Sequence, residues 1–287
     1  ATEYERAKAN YMSALEKKYT NRDKINNDVF GRACASNYLE KEPLLSIEQT
    51  YQIMQQLTPM LPVDVVNEAM KQLISLSDSN VGIYNTTTEK EGMVYSTEAS
   101  LKKAYDDARA EKIEAYVDNV KQEPLIAEQP KAGKIVSEKE NAKFGYKELT
   151  LSNGARVLLK KTNLKEGEVL FSGSSKGGKS LYDAKERVNL DLFNDVISYS
   201  GLGNFSSTEL QKVLAGKNAN VNLSLSNLHE YVSGSCTPKD METMFQMNYL
   251  YFTNIKKDEQ AFNSLINQYR AALKNKSLSA ESALQDS

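Results

Sequence analysis

Gly173–Ser180, GSSKGGKS, matches the phosphate-binding pattern G-x-x-x-x-G-K-[ST] letter for letter. In that chemistry backbone N–H groups cradle the phosphates, Lys179 reaches the β- and γ-phosphates, and Ser180 holds magnesium. A strand pattern precedes the segment and a helix pattern follows it. Three features count against the reading. The helix cap falls on Asp183, too late for amides that must open a helix at the Lys-Ser pair. No run of four apolar residues downstream leads into an Asp that could hold magnesium. The following strand patterns alternate, unlike the continuous apolar strands of a buried parallel sheet. A P-loop nucleotide binder through Gly173–Ser180 therefore stands only as an alternative.

Other residue types that carry chemistry are sparse. His229 is the single histidine of the chain, which excludes a multi-histidine metal site; it sits beside Glu230 in a strand pattern and reads as structural. Cys34 and Cys236 lie far apart and read as two small buried thiols, with a disulfide between them as the alternative. Lys256-Lys257-Asp258-Glu259 reads as a solvated helix start. The 16 tyrosines, mostly at core-facing helical spacing, read as packing residues rather than peptide contacts.

The 287 residues suffice for two domains. Lys and Arg number 36 against 38 Asp and Glu, so no bulk field favours nucleic acid. No run reaches the length of a membrane span, and no secretory signal opens the chain. Ala1-Thr2-Glu3 runs straight into a helical pattern, which suggests a segment of something longer.

Residues 1–118 read as helix-rich. Thr2 and Glu5 have capping-box spacing, followed by helices at about Lys24–Leu39 (Ile25, Val29, Phe30, Ala33 and Cys34 inward), from Ser46 to about Leu57, and at Val63–Leu76. Pro59 and Pro62 punctuate a turn. A short strand at Asn80–Tyr84 and a helix at about Thr97–Val117 close the section. Residues 119–143 mix Pro124, Pro130, Gly133 and charges without a period, and read as an extended, solvated linker. From Phe144 the pattern turns strand-like: Tyr146–Leu151 and Arg156–Lys160 flank an Asn-Gly turn, and Glu168–Ser172 is a third strand. Asp183–Gly201 reads as one amphipathic helix, capped by Asp183 and Glu186 and closed by Gly201. Ser206–Leu214 is a short helix, Asn218–Ser226 and Leu228–Ser235 are paired strands, and Lys239–Phe252 and Asp258–Leu273 are helices. The expected fold class is α+β, mostly antiparallel sheets with helices on one face, in two units joined by the linker.

The order of segments resembles the pitrilysin/insulinase-type zinc metallopeptidases, the inverzincins with an H-x-x-E-H motif. FGYKELTLSNGARVLLKKTNLKEGEVLFSGSSKGG at 144–178 is similar to the opening pattern of a family domain, with L-x-N-G-x-x-V, a strand pair and a strand into a Gly-rich loop. GLGNFSSTEL at 201–210 resembles the segment after the metal helix. Asn220–Cys236 resembles the following strand pair, and MNYLYFTN the next layer. TEYERAKANYMSALEKKYTNRDK, PVDVVNEAMKQLISLSDSNVGIYN and STEASLKKAYDDARAEKIEAYVDN resemble the late helices and strand of the family's second domain.

Counting back from Gly201–Phe205 places the H-x-x-E-H window on Leu192, Phe193, Asn194, Asp195 and Val196, and the distal glutamate ligand near Tyr269. Leu and Val cannot ligate zinc, and Asp195 stands where the family has its general base. The resemblance thus implies the tail of the second domain (1–118), an inter-half linker (119–143) and a catalytically degenerate third domain (144–287). No catalytic, cofactor-binding or metal-ligating residue is assigned, and the chain by itself is expected neither to bind zinc tightly nor to cleave peptides. Zinc belongs by resemblance to the parent protein, a clamshell endopeptidase. This segment would supply wall and hinge, with the missing catalytic and fourth domains and unfolded peptides as partners. A non-catalytic structural core subunit is the alternative within the family. A bacterial periplasmic or envelope location is what the resemblance suggests.

Overall fold

The structure is a computed structural model that describes residues 2–73, 81–86, 91–276, 281, 282 and 284. Helix α1 (Thr2–Thr20) has Glu3 and Glu5 in its first turn and Lys17 and Lys18 in its last, the order that complements the helix dipole. Thr2 lies within this helix rather than capping it. Helices α2 (Asn27–Glu40), α3 (Ile47–Met60) and α4 (Val63–Leu73) follow, and α5 (Glu98–Ala110) comes after the segment 81–86. Ser46 and Gln49 form the expected capping box at the start of α3, through bonds of 3.1 and 2.9 Å. Helix α3 lies on α1, with Tyr19 stacked on Tyr51 at 4.5 Å and Arg22 paired with Glu48 at 2.8 Å.

Several sequence expectations shift here. Pro59 lies inside the last turn of α3 rather than in a turn. Residues 81–84 form no strand, and Asn80 and Ile74–Leu76 lie outside the described residues. Helix α5 stops at Ala110, where Glu111 turns extended (ψ 129°); Ile113 and Val117 stay exposed, so no packed apolar face repays further helix, and Tyr116 meets Lys212 of the other unit instead. The apolar face of α2 is open: Val29, Phe30 and Cys34 are exposed. Cys34 is thus not a buried thiol; both cysteines are free, and only Cys236 is buried.

The second unit contains three antiparallel sheets. In the first, β1 (Ile135–Asn141), β2 (Tyr146–Leu151) and β3 (Arg156–Leu159) lie in that order, and the Asn153-Gly154 turn joins the last two with Gly154 at φ 85°. Strand β1 occupies the end of the run 119–143, where the sequence pattern has a linker. Its IVSEKEN sequence shows no apolar alternation because both faces are largely exposed and its pairing to β2 is made by the backbone. The second sheet has the order β4 (Val169–Lys176), β7 (His229–Cys236), β6 (Ala219–Leu225). The third pairs β5 (Gly201–Leu202) with β8 (Ile255–Lys256).

Helix α9 (Met241–Thr253) packs on β6 and β7, α7 (Phe193–Tyr199) on β6, and α10 (Glu259–Lys276) on α7. Helix α8 (Ser207–Val213) packs beside β5, capped by Ser206 through a box with Glu209. The core comprises Leu202, Phe205, Leu210, Val221, Val232, Cys236, Met244, Met247 and Leu250. This is the α+β arrangement expected.

The two units are joined by more than a tether. Leu125 and Ile126 of the connecting segment pack on the core of the sheet unit, and Lys121 donates to the Asn204 carbonyl at 2.6 Å. Helix α1 docks on the sheet unit as well: Asn10 accepts from the Gly216 N–H at 2.7 Å, and Ser13 meets Asn218. Glu16 pairs with Lys239. Asp118, whose side chain is 7% exposed, binds Arg6 and Thr2 of α1 and Lys212 of α8. The first part of 119–143 is therefore held at Lys121, Leu125 and Ile126, while most of its other residues are exposed.

Candidate functional site

The expected single helix at 183–201 is two helices. Asp183 caps α6 (Ala184–Leu190) by accepting from the N–H groups of Lys185 and Glu186 at 2.9 and 3.1 Å. Asp191 and Leu192 then leave the regular helix, and α7 starts at Phe193. The Val196 N–H still donates to the Leu192 carbonyl at 2.9 Å, so Leu192 and Val196 stay one turn apart. Gly201 does not close the helix; it opens β5. A Cβ there would stand 2.0 Å from the Phe205 carbonyl oxygen, so glycine is required by close approach and not by a left-handed backbone.

Four residues of the H-x-x-E-H window, Phe193 to Val196, have side-chain neighbours in the fold. Phe193 lies against the sheet near Leu223 and Val232. The Asn194 side chain accepts from the Leu225 N–H at 2.8 Å and donates to the Leu225 carbonyl at 3.4 Å, which pins α7 to the end of β6. Val196 and Tyr199 of α7 line a cleft of about 280 Å³ with Phe262 and Leu265 of α10. Asp195 accepts a hydrogen bond from the Tyr269 hydroxyl of α10.

Asp195 and Tyr269 are the residues placed by resemblance at the base and distal-ligand positions, and the fold brings them together. Zinc needs nitrogen, thiolate or carboxylate donors at about 2.0–2.3 Å. Here Leu192 and Val196 offer only alkyl groups, and the sole carboxylate is held by a phenol. The residues present do not fit the metal.

The Tyr269 phenol is pushed above its ordinary value, first by its bond to Asp195 and then by burial. Losing the proton would set a phenolate against a carboxylate. In NMR titrations of Cζ-labelled tyrosine, Tyr269 should therefore ionise above the ordinary tyrosine value of about 10, and Asp195→Asn should return it toward that value. An unchanged midpoint in that variant would show that the pair is not formed.

The Gly-rich segment is built for packing. Gly173–Lys176 belongs to β4, not to a loop. The amides that would cradle phosphate already donate: Gly177 to the Leu228 carbonyl at 2.8 Å, Lys179 to Ser226 at 2.9 Å and Ser180 to Asn227 at 2.9 Å. Lys179 pairs with Asp191 at 2.7 Å. Gly178, at φ 57°, would place a Cβ 2.4 Å from the Ser226 carbonyl oxygen. The segment thus clamps the β6–β7 turn, and its donors are spent there rather than held open for an anion. His229 serves the same turn: its carbonyl accepts from the Ser226 N–H at 2.9 Å, its own N–H donates to the Ser226 hydroxyl at 3.1 Å, and its ring stacks on Tyr231 at 5.7 Å.

Two residues had no signal in the sequence: Asn194, an ordinary polar residue in a helix pattern, and Asp118, the last residue before the linker. Among the described residues no group of three or more His, Cys, Asp or Glu is clustered as a metal site, and no helix is long and apolar enough to cross a membrane.

No protein-family model matches the chain. The probable zinc protease PqqL of Escherichia coli K12 is 28% identical over 242 residues, covering 84% of this chain and 26% of that protein. A zinc protease PQQL-like protein of Arabidopsis thaliana is 24% identical over 252 residues, covering 87% and 23%. Among solved structures, the periplasmic protease PqqL from Escherichia coli superposes with a TM-score of 0.50 at 23% identity over 96% of this chain and 30% of that one. The ferredoxin protease FusC, solved with Arabidopsis ferredoxin, gives 0.51 at 14% identity over 90% and 29%. The chain spans about a quarter of the length of the curated relatives it matches. In sequence the chain is similar to a part of these zinc proteases, and in fold to a part of PqqL and FusC, the likeness expected from its resemblance to the pitrilysin/insulinase-type zinc metallopeptidases.

Proposed function

We propose that this chain is a non-catalytic segment of a zinc-dependent endopeptidase, and that its sheet unit forms inert wall in a chamber that encloses peptides. The observation that carries the reading is the Tyr269–Asp195 bond between α10 and α7. Together with Leu192 and Val196, it fills the place of a metal site with a hydrogen bond and alkyl packing. The open apolar face of the helical unit (Val29, Phe30, Leu57, Val65 and Leu73 are all exposed) supports placement within a larger protein that covers it.

The hinge role needs a more specific location than 119–143. Lys121, Leu125 and Ile126 fix the first part of that run to the sheet unit, and β1 occupies its end. The joint between the units is then the irregular run 111–117 together with the polar seam along α1. A periplasmic or envelope location is supported by one relative, the Escherichia coli PqqL structure, which is described as a periplasmic protease.

The test is metal content and activity of the purified chain. Zinc titrated by calorimetry should give no site tighter than micromolar, and quenched-fluorescence peptides should stay intact with zinc present. A stoichiometry near one, with cleavage abolished by chelator, would overturn the reading.

A further inference from the structure

A groove of about 380 Å³ runs over the sheet between the edge strand β4 and the helices α7 and α9. Its walls are apolar: Phe193, Leu223, Val232 and Phe252 line it. It exists because Gly173 has no side chain; a Cβ there would lie 3.0 Å from Val232 Cγ1. At one end stands the carboxylate of Glu230, held by the Ser175 hydroxyl and, at 3.3 Å, by the Gly178 N–H. Both donors are neutral, and no cation among the described residues pairs with Glu230. A carboxylate can accept about four hydrogen bonds, so capacity remains. Among the described residues strand β4 is bonded in its sheet only to β7, so none of them pairs with its outer edge along its eight residues.

We propose that this groove is a peptide subsite. An extended peptide adds to the β4 edge, drops an aromatic or large aliphatic side chain over Gly173, and sets the ammonium or guanidinium of a nearby basic residue on Glu230. Strand addition places alternate side chains of the incoming peptide on the groove face, and the main-chain bonds to the edge are independent of sequence. Selectivity then comes from the apolar slot and from the fixed negative charge, a complementarity that disfavours acidic peptides at the same position. The inference rests on the peptide-facing wall proposed above, and it names which peptides that wall would hold.

The experiment titrates the full chain with three fluorescein-labelled, acetylated octapeptide amides in a serine background. They carry Phe-Ser-Lys, Phe-Ser-Glu or Ala-Ser-Lys at the centre. The Phe-Ser-Lys probe should bind most tightly, with Phe-Ser-Glu weaker by about 5-fold or more at low salt and the gap narrowing as salt rises. Glu230→Gln keeps an acceptor for Ser175 and Gly178, and it should abolish the Lys-over-Glu preference while leaving the Phe-over-Ala preference. Gly173→Val should fill the slot and remove the preference for Phe.

Binding of all three probes with equal affinity, unmoved by both variants, would overturn the subsite and leave the peptide-facing wall standing. Binding of none would sink the two together. A circular-dichroism melt of each variant separates a lost site from a lost fold.

Discussion

Replacing Phe205 by Ala should lower the stability of the sheet unit by about 3–5 kcal/mol, the range for deleting a buried aromatic ring. Phe205 is fully buried, at 0% exposure, in a core shared with Leu202, Met244 and Leu250. Its backbone is equally committed: its N–H donates to the Leu202 carbonyl at 2.9 Å and its carbonyl accepts from the Leu202 N–H at 3.0 Å. The ring therefore enters the core from a tight loop that cannot relax inward to refill the space. The connecting segment should loosen with it, because Leu125 and Ile126 pack on the same cluster. Urea unfolding followed by circular dichroism checks the magnitude, and a loss below about 1 kcal/mol would mean that the core is not continuous around this loop.

Asp118→Asn should uncouple α1 from the sheet unit. One carboxylate there serves Arg6 and Thr2 on one side and Lys212, 2.7 Å away, on the other. The Lys212 ammonium also donates to the Tyr116 hydroxyl at 2.9 Å. An amide in its place leaves two cations facing each other with no charge between them. The bonds from Arg6, then Lys212 and Thr2, hold the Asp118 carboxyl far below the ordinary carboxylate range.

The sign follows from that depression. Above about pH 4, the unfolded value, the carboxylate is ionised in both states and the docking contribution is complete. As pH falls below that point, the unfolded chain takes up the proton first, and the contribution drains away toward the folded value. Protease access to the segment 111–117 should thus stay flat from pH 7 to 5 in the native chain and rise in acid. In Asp118→Asn, access should be raised at neutral pH and should lose most of that acid step. An acid step of undiminished size in the variant would assign it to other carboxylates.

Glu209 is a second such group on the sheet unit's side. Its carboxyl is lowered to about 2, first by the Ser206 N–H and then by Lys121, which stands 3.2 Å away. Its contribution has the same sign and a similar acid window.

Much of this molecule was readable from residue pattern. Ser46 with Gln49, and the Asn153-Gly154 turn between alternating runs, marked α3 and the β2–β3 hairpin because capping and turn geometry are local properties of a few residues. The alternation of Val221, Leu223 and Leu225 gave β6, whose inner face meets α7 and α9. Strand β1 escaped because a strand exposed on both faces leaves no apolar period to read. The last turns expected of α5 did not form because helical propensity without a packing surface does not hold Ile113 to Val117 in a helix. GSSKGGKS matches a phosphate-binding pattern letter for letter, and only in three dimensions is it visible that the β6–β7 turn consumes its amides.

The sequence by itself determined the α+β class, the antiparallel pairing and the absence of imidazole or thiol donors at Leu192, Val196 and Tyr269, since these depend on residue type and short-range spacing. Only the tertiary structure decided that Tyr269 closes on Asp195, that Asp118 ties α1 to α8, and that Gly173 opens a groove beside Glu230. Each of these joins residues dozens of positions or more apart, and such contacts follow from how sheets and helices pack and not from any local period.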